Sequence, residues 1–167
     1  MDEKRCFVIM PFSKTTNDHT EEYWTEFFHQ FIKPTVDNLG YECIKSTARP
    51  KNIIKSILEE LVSADIVVAV LTDNNPNVWY ALGTRHALRS GTIMVIEEGQ
   101  KIPFDISQYG VIVYTDKIAK RAQFEKNLEA FIEDIETTLN LTAQLLTSLA
   151  NEQLGHVGLE PLLKIHL

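Results

Sequence analysis

A chain of 167 residues with 44% hydrophobic and 23% charged side chains is composed like one globular domain, long enough to bury a core without disulfides or metal. A net charge of -7 and a pI near 5.2 give no overall attraction for nucleic acid or an anionic membrane, though one local basic pocket would suffice for a small nucleotide. No apolar run approaches the ~18 residues of a bilayer span, and Met1-Asp2-Glu3-Lys4-Arg5 leads directly into strand-like sequence, so a cytoplasmic protein without a signal peptide is expected.

Cys6 to Met10 is a short apolar run closed by Pro11, the pattern of a buried first strand. The loop from Phe12 to Thr20 offers Ser13, Thr15, Thr16 and Asn17 for turns and caps. Glu21 to Leu39 repeats Trp24, Phe27, Phe28, Phe31, Ile32, Val36 and Leu39 at helical spacing, with Pro34 predicting a kink or break. Gly40 stops that segment, and Tyr41 to Ile44 is a second strand. Cys6 and Cys43 both fall in strands and are expected to be buried, reduced thiols.

Asn52 to Val62 predicts a helix, and Ala64 to Leu71 is the most continuously apolar strand, as a central parallel strand should be. A further helix spans about Asn77 to Ser90 and stops at Gly91; Thr92 to Ile96 and Val111 to Tyr114 complete five strands. Asp116 to Leu139 carries a long amphipathic helix. The alternation predicts an α/β flavodoxin-like parallel sheet, order 2-1-3-4-5, with helices on both faces. Residues 1–140 form the expected domain. The helical tail, 141–167, carries Leu141, Leu145, Leu146 and Leu149, then Leu159, Leu162, Leu163, Ile165 and Leu167. It either wraps its own domain or buries itself in a neighbouring subunit.

Strand order sets the exits of strands one and three side by side, where open α/β sheets place ligands. The first contributes Met10-Pro11-Phe12-Ser13, the third Thr72-Asp73-Asn74-Asn75. Residues 77 and 81 are four apart, which puts them on one helix face, with Tyr80 adjacent. Asp73 and Asn77 also suit plain helix caps, and Trp79 suits the core. Phe12 fits base stacking or the core. Arg85 could reach a phosphate, although a solvated arginine is the simpler reading; His86 fits a structural or pocket-wall role. His29, His156 and His166 stand apart from any ligand constellation, so no metal is expected. There is no Gly-rich phosphate loop, which disfavours ATPase and dehydrogenase chemistry.

Asp73 to Gly83, reading Asp-Asn-Asn-Pro-Asn-Val-Trp-Tyr-Ala-Leu-Gly, resembles the Asn-Pro-Asn-Val-aromatic-Tyr-Glu-Leu-Gly signature of the TIR-like and nucleoside 2-deoxyribosyltransferase-like superfamily. Cys6 to Ser13 and Ala64 to Thr72 are similar to other stretches of that superfamily, as is, more weakly, Ile102 to Ile106; together they span residues 6–114. The resemblance implies a catalytic glutamate where Ala81 stands, with Asn77 and Tyr80 as its neighbours. It implies Met10, Pro11, Phe12, Ser13, Asp73, Asn75, Phe104 and Asp105 as substrate contacts. The implied activity is cleavage of NAD+, a substrate rather than a cofactor, in antiphage immune signalling through a small-molecule messenger to a downstream effector, by a homo-oligomer. Alternatives are nucleoside 2-deoxyribosyltransfer and a catalytically dead nucleotide-binding sensor or scaffold. Cleaving a ribose–base bond develops oxocarbenium charge that a carboxylate stabilises and alanine does not.

Overall fold

The computed structural model describes residues 3–46, 53–115 and 117–154. Strands β1 (Lys4–Ile9), β2 (Tyr41–Lys45), β3 (Ile66–Val70), β4 (Thr92–Glu97) and β5 (Val111–Tyr114) form one sheet in the order β2-β1-β3-β4-β5. All four neighbouring pairs are parallel, giving the flavodoxin-like α/β topology that the strand–helix alternation predicts. Burial follows position in the sheet. Every residue of central β3 is buried, whereas edge strands β2 and β5 alternate because one face of each meets solvent. Cys6 and Cys43 are register partners across β1 and β2, both buried free thiols.

Thr20 caps α1 (Glu21–Phe27) by accepting from the Tyr23 N–H, and Glu21 and Glu22 complement the positive helix end. The disturbance expected at Pro34 takes the form of a π-helical turn, Phe28–Ile32, before α2 (Lys33–Asn38). Proline has no N–H for the Gln30 carbonyl, and its ring crowds that carbonyl. The turn widens so that Lys33 N–H bonds to Phe28 O, and the freed Gln30 carbonyl accepts from Arg121.

Helices α3 (Ile53–Ser63) and α4 (Pro76–Leu88) pack together on one face of the sheet. Leu61, Ala64, Val78, Ala81 and Leu82 meet Phe7, Ile9, Val67, Ala69, Leu71, Met94 and Ile96 there in one apolar cluster. Elsewhere Phe27 of α1, Tyr114 of β5 and Phe124 of α5 (Ile118–Leu154) form an aromatic cluster with centroids 4.5–6.1 Å apart. Such side chains contribute roughly 1.5–3 kcal/mol each when fully buried.

The chain divides into two units, Met1–Ile132 and Glu133–Leu167, with α5 running through the boundary. The division falls within the helix where burial ends: Phe124, Leu128 and Ile132 are buried, and none of residues 133–149 is. In the second unit Leu141, Leu145, Leu146 and Leu149 are all exposed. Leu159, Leu162, Leu163, Ile165 and Leu167 lie outside the described residues. Among the described residues no helix is long and apolar enough to cross a membrane.

Candidate functional site

The carboxyl ends of β1, β3 and β4 are neighbours, so the polar residues that follow them converge. After β3 the chain makes a 3-10 turn, Thr72–Asn74, with Asp73 and Asn74 at positive φ (64° and 53°), a region that Asp and Asn tolerate better than most residues. This aims the Asp73 carboxylate back under the β1 exit loop. Its Oδ2 lies 2.5 Å from Thr15 Oγ1 and 2.6 Å from His19 Nδ1, and its Oδ1 accepts from Gln100 Nε2 at 3.0 Å. The Asp73 N–H donates to Gln100 Oε1 at 2.7 Å, closing the ring of contacts. Burial alone would raise the Asp73 pKa, but the hydrogen bonds from Thr15, His19 and Gln100 outweigh it, holding the carboxyl below its ordinary value.

Glu97, the last residue of β4, completes the group. Its Oε2 accepts from Gln100 Nε2 at 3.0 Å and lies 3.4 Å from His19 Nε2. Beneath it, the buried Thr72 hydroxyl accepts from Glu97 N–H and shares a hydrogen bond with the Tyr114 hydroxyl. Trp24 Nε1 donates to Thr15 Oγ1, tying the exit loop to α1. His19, Glu97 and Gln100 escaped the sequence reading because His19 lies far from the other two in the chain and no motif spacing links them. The signal that could have found them is their position at the exits of adjacent strands.

Asn75 caps α4: its side-chain oxygen accepts from Asn77 N–H at 3.0 Å, so the atom expected to meet substrate is engaged in holding the helix start. The buried stripe of α4 is Val78, Ala81, Leu82 and Arg85. Asn77 is exposed and Tyr80 is 69% exposed, so burial separates both from Ala81 despite the four-residue spacing. The sheet surface sets which side of α4 is buried, and position 81 falls within that arc. Ala81 is 7% exposed in the apolar cluster, with Trp79, Ile102 and Ile106 packed against the same cluster. A carboxylate there would face apolar surroundings that raise its pKa.

Met10 and Pro11 are buried and present little side chain to solvent, which leaves Phe12 (46% exposed) and Ser13 as the accessible part of the β1 exit. Phe104, 79% exposed, and Asp105 open the 3-10 segment Phe104–Tyr109 after β4. Phe12, Tyr80 and Phe104 thus present accessible aromatic rings on elements leaving the carboxyl edge. Asp73 reaches no such surface, because its carboxylate is taken by internal donors.

Arg85 corrects both sequence readings, since it is neither solvated nor placed for a phosphate. It is 0% exposed at the opposite edge of the sheet, and its guanidinium donates to the carbonyls of Leu61, Ala64, Asp65, Ser90 and Gly91. Burial, then the charge of Arg89, lower its pKa to about 10, which leaves it cationic at neutral pH. His86 sits near this edge with its ring 5.5 Å from that of Tyr109, a pocket-wall position.

No family model matches the chain, and no curated protein is similar to it.

Proposed function

We propose that the carboxyl edge of the sheet binds an NAD-type nucleotide, and that the chain is a TIR-like NAD+ glycohydrolase whose catalytic carboxylate position is occupied by Ala81. The observation that carries the reading is the placement of the Asn75–Gly83 signature. It caps and opens α4 directly after the central strand, next to the β1 exit that bears Phe12 and Ser13. This is the switch point at which doubly wound sheets take nucleotides. Exposed Phe12, Tyr80 and Phe104 supply faces on which a nicotinamide or adenine ring can stack.

With a glutamate at 81, the carboxylate would stabilise the ribosyl cation as the base leaves. The reading extends to antiphage signalling by a homo-oligomer, with released ADP-ribose-type product acting on a downstream effector. A nucleoside 2-deoxyribosyltransferase shares the same carboxylate logic. A second reading, a catalytically silent nucleotide-binding scaffold, is favoured by the apolar surroundings of Ala81, which are complete without a charged group.

Incubating the Ala81→Glu protein with NAD+ and with deoxynucleosides tests the assignment. Release of nicotinamide, absent from the alanine form, is expected. Base release from deoxynucleosides alone would move the assignment to the transferase. A folded Ala81→Glu protein that releases base from neither, while the alanine form binds NAD+, would establish the scaffold.

A further inference from the structure

His19 is 6% exposed, yet its Nε2 makes no hydrogen bond among the described residues. The atom it faces is Glu97 Oε2, 3.4 Å away and too poorly placed to accept a proton from the ring. Two ligand atoms each about 2.1 Å from one metal ion, at a tetrahedral angle, stand roughly 3.4 Å apart. The His19–Glu97 gap therefore has the dimension of one edge of a metal coordination shell.

The surroundings fit the same chemistry. Asp73 Oδ2, 2.6 Å from His19 Nδ1, assigns the ring proton to that nitrogen and leaves the Nε2 lone pair directed at Glu97. A carboxylate behind the imidazole is the usual support of a histidine ligand, fixing its tautomer and raising its basicity. Gln100 plays the matching part for Glu97, bonding Oε2 and leaving Oε1 without a partner among the described residues. Donor atoms of His19, Asp73 and Glu97 all lie within 4.8 Å of one another, and the negative charge of two half-buried carboxylates favours a dication at this place.

We propose that His19 Nε2 and Glu97, with Asp73 orienting the imidazole, form a binding site for a divalent transition-metal ion of the Zn2+ or Mn2+ class. The mixed nitrogen and oxygen donor set selects these over Ca2+ or Mg2+. Coordination positions not filled by the protein remain open to water or to an oxyanion. The sequence offered no sign of this, since its three contributors are widely separated in the chain.

Calorimetric titration of chelator-treated full-length protein with Zn2+ alone, and separately with Mn2+ alone, tests the site without any nucleotide. One ion per chain is expected. Glu97→Gln and His19→Gln should each weaken binding at least about tenfold, and Asp73→Asn by about 10–100-fold. His29→Gln, on α1's π-helical extension, should change nothing. Glu97 is partly exposed and its side chain supports no backbone group, so Glu97→Gln decides the matter even if His19→Gln fails to fold. Absence of saturable binding at millimolar metal, or equal binding by Glu97→Gln, would overturn the proposal.

Discussion

The two edges of the sheet each hold a buried polar network, and they are built to different ends. At the amino edge one cation, Arg85, spends its donors on five backbone carbonyls that join the end of α3, the start of β3 and the α4–β4 turn. Its partners are main-chain atoms already fixed by the fold, and of its donors Nε alone stays buried without a partner. At the carboxyl edge the partners are side chains, Thr15, His19, Asp73 and Gln100 beyond the strand ends and Glu97 at the end of β4. That network ends in a carboxylate oxygen without a partner and an imidazole nitrogen without a hydrogen bond. Backbone partners tie the first network into the fold, whereas the second has side-chain atoms left for a ligand.

The largest effect should come from breaking the Arg85 network. Arg85→Met strands several buried carbonyls and is expected to cost about 3–5 kcal/mol in urea unfolding. Arg85→Lys should rescue little, because a single ammonium cannot span both groups of carbonyls. A loss below about 1 kcal/mol for Arg85→Met would show that water replaces the guanidinium, and the contrast between the edges would fail.

At the carboxyl-edge network the same kind of experiment should cost less. Asp73→Asn keeps one acceptor and is expected to lose about 1–3 kcal/mol, mainly by freeing the β1 exit loop. Acid should weaken the native loop in the same way. The folded Asp73 pKa lies below its unfolded value, so its contribution is complete above about pH 4 and fades as pH falls through the folded value. Thermal melts of native and Asp73→Asn proteins should therefore converge in acid; a constant gap between them would deny the carboxylate its part.

The sheet order was legible in the sequence because it rests on a local pattern, apolar runs between helical stripes; the cap of α4 was not, since Asp73 and Asn77 suited the part that Asn75 plays. Arg85 was misread because an arginine on a helix looks solvated until the chain delivers five carbonyls to it. Asn77 and Ala81 were grouped by spacing alone, yet which arc of α4 is buried depends on the sheet beneath it. His19 and Glu97 are far apart in the chain, and only strand adjacency brings them together.

Ala81→Glu should have a smaller effect on stability, about 1–2 kcal/mol, since the apolar surroundings let the carboxyl stay protonated and so avoid burying a charge. A larger loss, with precipitation, would indicate that position 81 belongs wholly to the core. Removing residues 157–167 is expected to leave the unfolding midpoint nearly unchanged while lowering the mass in light scattering. An unchanged mass with reduced stability would instead place that segment on its own domain.

The central claim is that the carboxyl edge is where a nucleotide binds, and titration calorimetry of the chain as it stands against NAD+ and ADP-ribose tests it most directly. The account predicts saturable binding of one nucleotide per chain, weakened by Phe12→Ala and by Tyr80→Ala and untouched by changing exposed His29. No binding of either nucleotide at millimolar concentration, or binding indifferent to both aromatic substitutions, would contradict it.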